Sequence, residues 1–98
     1  MDIRFENRDL QDLYTGEKGA SRFPSTVVDR FFELIAFIVA SADERDFRAM
    51  KSLHFEKLLG KRQGSVSFRL NKQYRLIARL EEGHEAKTVV VLSIEDYH

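Results

Sequence analysis

At Ser65 the hydrophobic period of this chain changes from that of a helix to that of a strand, and this change limits the folds open to it. Before it, from Pro24 onward, Val27, Val28, Phe31, Phe32, Leu34, Ile35, Ile38 and Val39 recur at helical spacing, with Asp29, Arg30 and Glu33 on the other side. Pro24 suits the first turn of that helix, because its missing N–H would have no partner there in any case. The spacing predicts a helix from Pro24 to about Ala42. After the change, Val66, Phe68 and Leu70 alternate with Ser65, Ser67 and Arg69. Asn71-Lys72-Gln73 is a turn, and Tyr74, Leu76, Ala78 and Leu80 then alternate with Arg75, Ile77, Arg79 and Glu81. A second turn at Glu82-Gly83-His84 leads into a β-branched third strand, Lys87 to Glu95. Helices followed by a three-strand meander make an α+β fold, with N-terminal helices packed on a small, twisted, mainly antiparallel sheet.

The rest of the chain adds smaller pieces. Ile3 to Phe5 reads as a short edge strand. Asn7 or Asp9 caps a short helix through Leu10, Leu13 and Tyr14, which Gly16 stops; Gly16 to Ser21 is a loop. Asp43 caps a charged turn to Met50. Leu53, Phe55 and Leu58 follow with no pattern that assigns them, and Gly60 and Gly64 bracket a basic turn with Lys61 and Arg62. Residues 1–98 make one domain, since a chain this short has room for a single core. The segment Leu34 to Ala40 is apolar nearly all round, which means deep burial or a face kept for a partner. It is the longest apolar run and falls far short of the roughly 20 residues that span a bilayer. The charged start, Met1 to Glu6, lacks a signal peptide's apolar run, and there is no Cys. A cytoplasmic protein with no membrane partner is the expectation.

The formal net charge is zero, but the charge is not spread evenly. Between Lys57 and Arg79 stand seven basic residues (Lys57, Lys61, Arg62, Arg69, Lys72, Arg75, Arg79) and no acidic one, while the remainder carries nine basic and sixteen acidic. Such a patch steers a polyanion even on a neutral molecule. The plainer alternative is a solvated face.

Register decides which of these side chains meet. The apolar sets of the first two meander strands share a face only if Leu70 lies opposite Tyr74. Arg69 then lies opposite Arg75 on the other face, with Ser67 and Arg79 nearby. Two guanidiniums directly across a strand pair repel, which a fold accepts most readily where an anion sits between them. Arginine grips a phosphate through two hydrogen bonds and cannot deprotonate. Otherwise each arginine pairs with a carboxylate, Glu81 or Glu95. The sequence ends Asp96-Tyr97-His98, in which Tyr97 and His98 are able to give or take protons and Asp96 to orient either. The three histidines, His54, His84 and His98, show no metal-ligand spacing, so neither a metal nor another cofactor is expected.

Three stretches, taken in order, bear a family resemblance: Leu53-His54-Phe55-Glu56-Lys57-Leu58; Gly64-Ser65-Val66-Ser67-Phe68-Arg69-Leu70-Asn71-Lys72-Gln73-Tyr74-Arg75-Leu76; and Asp96-Tyr97-His98. Together they resemble the HigB branch of the RelE/ParE toxin superfamily, most specifically from about residue 43 onward. The resemblance implies a ribosome-dependent mRNA endonuclease that enters the ribosomal A site and cuts mRNA without a metal. Its implied partners are mRNA, the ribosome and a cognate helix-turn-helix antitoxin of the HigA type. It implies catalytic roles for Arg69 and Arg75 in stabilising phosphate charge, for His98 or Tyr97 as acid or base, and for Asp96 as orienter. His54 is a further candidate, against the alternative of a partly buried residue beside Leu53 and Phe55. Lys57, Lys61, Arg62, Lys72 and Arg79 are the expected RNA or ribosome contacts, and His84, in a turn, is a bystander. A second reading is a ParE-like inhibitor of gyrase that cuts nothing. Three features depart from the family pattern: the neutral net charge, Ala49-Met50-Lys51-Ser52 in place of a proline-containing stretch, and Lys61-Arg62 directly after a glycine where an acidic residue is frequent.

Overall fold

A computed structural model describes residues 1–16, 18–82 and 87–96 of the chain. In chain order the elements are β1 (Asp2–Phe5), α1 (Arg8–Gly16), α2 (Ser25–Ala40), α3 (Glu44–Ala49), β2 (Glu56–Lys57), β3 (Ser65–Arg69), β4 (Tyr74–Glu82) and β5 (Lys87–Asp96). Short 3-10 turns at Ala20–Arg22, Lys51–Leu53 and Gly60–Arg62 link them. The strands form one sheet in the order β1-β5-β4-β3-β2. β1 runs parallel to β5 and the other pairings are antiparallel.

Local chemistry sets the ends of the helices. Asn7, not Asp9, caps α1: its Oδ1 accepts from the Leu10 N–H at 3.2 Å. Its Nδ2 donates to the Leu92 carbonyl at 3.2 Å. Leu92 is the extra residue of a β-bulge, where the register moves from Ile77↔Ser93 to Ala78↔Val91. One asparagine therefore ties the start of α1 to the irregular point of the sheet. Pro24 stands just ahead of α2, and its carbonyl accepts from Val27 at 3.0 Å and Val28 at 3.2 Å. The helix stops at Ala40, short of the expected Ala42, because Ser41 is extended (φ −78°, ψ 147°) and its hydroxyl donates back to Phe37. Asp43 does cap the next helix, accepting from the Arg45 N–H at 2.9 Å.

The core lies between the helices and one sheet face. Val27, Phe31, Leu34, Ile35 and Ile38 of α2 pack with Leu10 and Leu13 of α1 against Val66, Phe68, Leu76, Ala78, Val89 and Val91. The periodicity of α2 thus resolves as one buried face, with Ala36, Val39 and Ala40 exposed. Phe37, Phe47, Phe55 and Phe68 form a chain of ring contacts with centroids 5.1–6.3 Å apart. This chain fastens the unassigned Leu53–Leu58 segment to α2, α3 and β3. Part of that segment is the edge strand β2, which the sequence reading lacked; two residues are too few to show a period. Among the described residues no helix is long and apolar enough to cross a membrane.

Candidate RNA-binding and catalytic site

The outer face of the sheet, away from the helices, carries the site. Arg69 lies opposite Arg75 in the β3–β4 ladder, and Arg75 lies opposite Glu95 in the β4–β5 ladder. The two guanidiniums therefore meet as the alternation requires. His54, just ahead of β2, extends this row to the sheet's edge. Its Nε2 lies 3.2 Å from Arg69 Nη1; a guanidinium only donates, so the imidazole nitrogen accepts. Arg75 donates through Nη2 to the His54 carbonyl and through Nε to Ser67 Oγ at 3.0 Å. One arginine holds the ring of His54 and the other its backbone. Arg69 Nε also donates to the Asn71 carbonyl at 3.2 Å.

His54 is exposed, not half-buried between its apolar neighbours. Its backbone is left-handed, at φ 43° and ψ 49°, and among the described residues it is the one non-glycine with positive φ. That conformation costs roughly 1–2 kcal/mol for a side chain with a Cβ. Such strain gathers where surrounding contacts fix a residue for a task. His54 and Arg69 also line a cleft of about 770 Å³, which runs from Arg30 and Phe37 on α2 to Lys72 and Gln73 in the β3–β4 turn.

The other candidates fall in different places. Asp96 lies opposite Tyr74, with one carboxylate oxygen 3.0 Å from Gln73 Nε2. Tyr97, His98 and His84 lie outside the described residues. Lys61 and Arg62 sit in the 3-10 turn between β2 and β3. Lys57 lies opposite Val66, a core residue, so it projects to the helix side, where its Nζ is 3.8 Å from Glu44. It is on the face away from Arg69 and Arg75. Arg79 is on the arginine face but faces carboxylates, with Glu6 at 2.8 Å and Glu81 at 2.6 Å; Arg4 also reaches Glu81 at 2.6 Å. Hydrogen bonds from Arg79 hold the Glu6 and Glu81 carboxyls below their ordinary range, and the two carboxylates in turn raise Arg79. The pairing with Glu81 that the sequence offered as an alternative is therefore realised at Arg79.

Glu95 is the residue whose place the sequence did not give. It was legible only as a partner for Arg69 or Arg75, yet it binds Arg62 at 2.6 Å and accepts from Ser93 Oγ at 2.8 Å. Among the described residues no three His, Asp or Glu side chains are grouped as metal ligands.

The family model described as RelE-like toxin of type II toxin-antitoxin system HigB matches residues 3–98. The chain belongs to this family. The resemblance first carried by three stretches thus extends over nearly all of this HigB-like toxin. It is 32% identical over 83 residues to Toxin HigB-1 of Vibrio cholerae serotype O1, covering 85% of this chain and 87% of that protein. Solved structures share the fold of the HigB-like chain. A YoeB/ParE toxin from Agrobacterium tumefaciens superposes with a TM-score of 0.63 at 16% identity, each chain fully covered. The YoeB-YefM complex from Staphylococcus aureus gives 0.63 at 21% identity, covering 100% of this chain and 97% of that one. YafQ from E. coli strain BL21(DE3) gives 0.63 at 10% identity, with 97% and 91% covered.

Proposed function

We propose that this HigB-like toxin is a ribosome-dependent mRNA endonuclease that cleaves through the ribose 2′-OH without a metal and thereby halts translation. One observation carries the reading: Arg69 and Arg75 are directly paired across two strands, and both grip His54. Such a site offers fixed positive charge beside a titratable ring. In-line attack of the 2′-oxygen on phosphorus needs a base for the 2′-OH proton and an acid for the departing 5′-oxygen. It yields a 2′,3′-cyclic phosphate and a 5′-OH. His54, Tyr97 and His98 are the groups proposed for the two proton transfers, with Asp96 as orienter. Arg69 and Arg75 stabilise the dianionic phosphorane, the part a metal plays elsewhere. Lys61, Arg62 and Lys72 reach flanking phosphates; Lys57 and Arg79, tied to carboxylates, complete the basic surface more weakly.

The proposed partners are mRNA in the ribosomal A site and a HigA-type antitoxin with a helix-turn-helix domain. The family match is to HigB, which disfavours the gyrase-inhibitor reading. Single-turnover cleavage on programmed ribosomes tests the proposal. New breaks in the A-site codon are expected, and they should persist when chelator is added at a level that controls show leaves ribosomes intact. Intact mRNA together with blocked DNA supercoiling would instead identify a gyrase inhibitor.

A further inference from the structure

Arg62 and Glu95 come together from well-separated points of the sheet. Arg62 belongs to the turn between β2 and β3, at one edge, and Glu95 to β5, beyond both β3 and β4. Their contact at 2.6 Å therefore carries the Arg62 side chain over β4, at the row where Glu95 faces Arg75. Three guanidiniums, Arg62, Arg69 and Arg75, serve this region of the outer face, and Glu95 is a carboxylate set among them. Ser93 Oγ donates to its second oxygen at 2.8 Å and fixes its orientation. A carboxylate so placed offers arginine the same acceptor geometry as a phosphodiester's two free oxygens.

The turn that carries Arg62 is lightly attached. At its base the Leu58 N–H donates to the Ser65 carbonyl at 2.9 Å. Further out, Leu59 is 86% exposed, and a Cβ built on Gly60 or Gly64 would meet nothing within 4 Å. Both glycines have positive φ, 70° and 94°, so the turn takes its shape from backbone freedom more than from packing.

We propose that Glu95 is a built-in stand-in for RNA phosphate: it holds Arg62 over the arginine row in the free toxin and yields it to an incoming phosphodiester. Glu95 is thus a positioning residue that sets how tightly RNA is bound, and the inference rests on the nuclease reading only for the identity of the polyanion. The exchange is easy because a partly exposed carboxylate–guanidinium pair is weak.

The test measures binding to ribosomes programmed with mRNA carrying a 2′-deoxy nucleotide at the A-site codon, so that nothing is cut, over a range of salt. Glu95→Gln keeps the shape and the Ser93 contact but releases Arg62 from a competing charge. It should bind about two- to fivefold tighter. Its log–log salt slope should steepen by roughly 0.7, one more phosphate contact on a single strand. Arg62→Gln should bind more weakly, and adding Glu95→Gln to it should change nothing further. Wild-type affinity and slope in Glu95→Gln, or a gain that survives without Arg62, would overturn the proposal. So would a large loss of cleavage in Glu95→Gln on all-ribose mRNA without tighter binding, which would make Glu95 a catalytic group. If Glu95→Gln tightens binding but wild-type toxin leaves all-ribose mRNA intact, the nuclease reading fails and the stand-in holds. Cleavage by wild type with no binding change in Glu95→Gln has the reverse meaning.

Discussion

His54 combines backbone strain with chemistry, and two substitutions separate them. Glycine adopts the left-handed region without the Cβ penalty that alanine carries. His54→Gly should therefore be more stable than His54→Ala by about 1 kcal/mol in chemical denaturation, while both lose the same cleavage activity. Equal stability would show that the strain has been relieved elsewhere. Arg69→Ala should slow single-turnover cleavage by roughly 10²–10³ and leave ribosome binding nearly intact, as for removal of a donor aimed at developing charge. Deleting His98 should slow it by roughly 10²–10⁴ if that residue moves a proton; an unchanged rate would shift that role to His54. At Asp43, hydrogen bonds from the Arg45 side chain and N–H hold the carboxyl at about 2, against an ordinary 3.8. A depressed folded value stabilises above the ordinary one and is lost as pH falls through the folded one. The denaturation midpoint of Asp43→Ala should thus lie below wild type at pH 7, and the gap should close between about pH 4 and pH 2. The Arg69–Arg75 pairing was legible in the sequence because a period of two admits one register that buries both apolar sets. The Arg62–Glu95 contact was not, because it depends on where a glycine-flanked turn folds over a sheet whose strand order the sequence does not state.

Among the elements, the aromatic chain Phe37–Phe47–Phe55–Phe68 does most to link packing with the site. Phe47 is fully buried, and Phe55, which it touches, directly follows His54. Phe47→Ala should cost about 3–5 kcal/mol in stability. The milder Phe47→Leu should stay folded yet reduce cleavage more than binding, because His54 loses its backing; an unaltered rate in a folded Phe47→Leu would show that the two arginines suffice to place His54. The sequence showed the helical face of Phe47 but not its partners, since Phe55 stands in a segment without a period. In α2 the packed face uses Val27, Phe31, Leu34, Ile35 and Ile38 and leaves Val39 49% exposed. An antitoxin segment covering this exposed strip should slow amide exchange in α1 or α2; no added protection there would place the antitoxin on the sheet alone.

At the scale of the whole molecule, folding partly dissolves the charge separation seen along the chain. Lys57, Arg62 and Arg79 are met by Glu44, Glu95, Glu6 and Glu81, all from outside the basic stretch. The alternation of β3 and β4 foretold the sheet's antiparallel part, but nothing local announced that β1 would join it in parallel beside β5. That arrangement has a consequence in time. β5 is translated after every other strand, yet it lies between β1 and β4, and it supplies Glu95. Until residues 87–96 have left the exit tunnel, β1 has no neighbour and the row has no fourth strand. For a protein proposed to attack translation, the ribosome that makes it is thus spared by the order of synthesis, and the poison is assembled only once its own message has been read almost to the end.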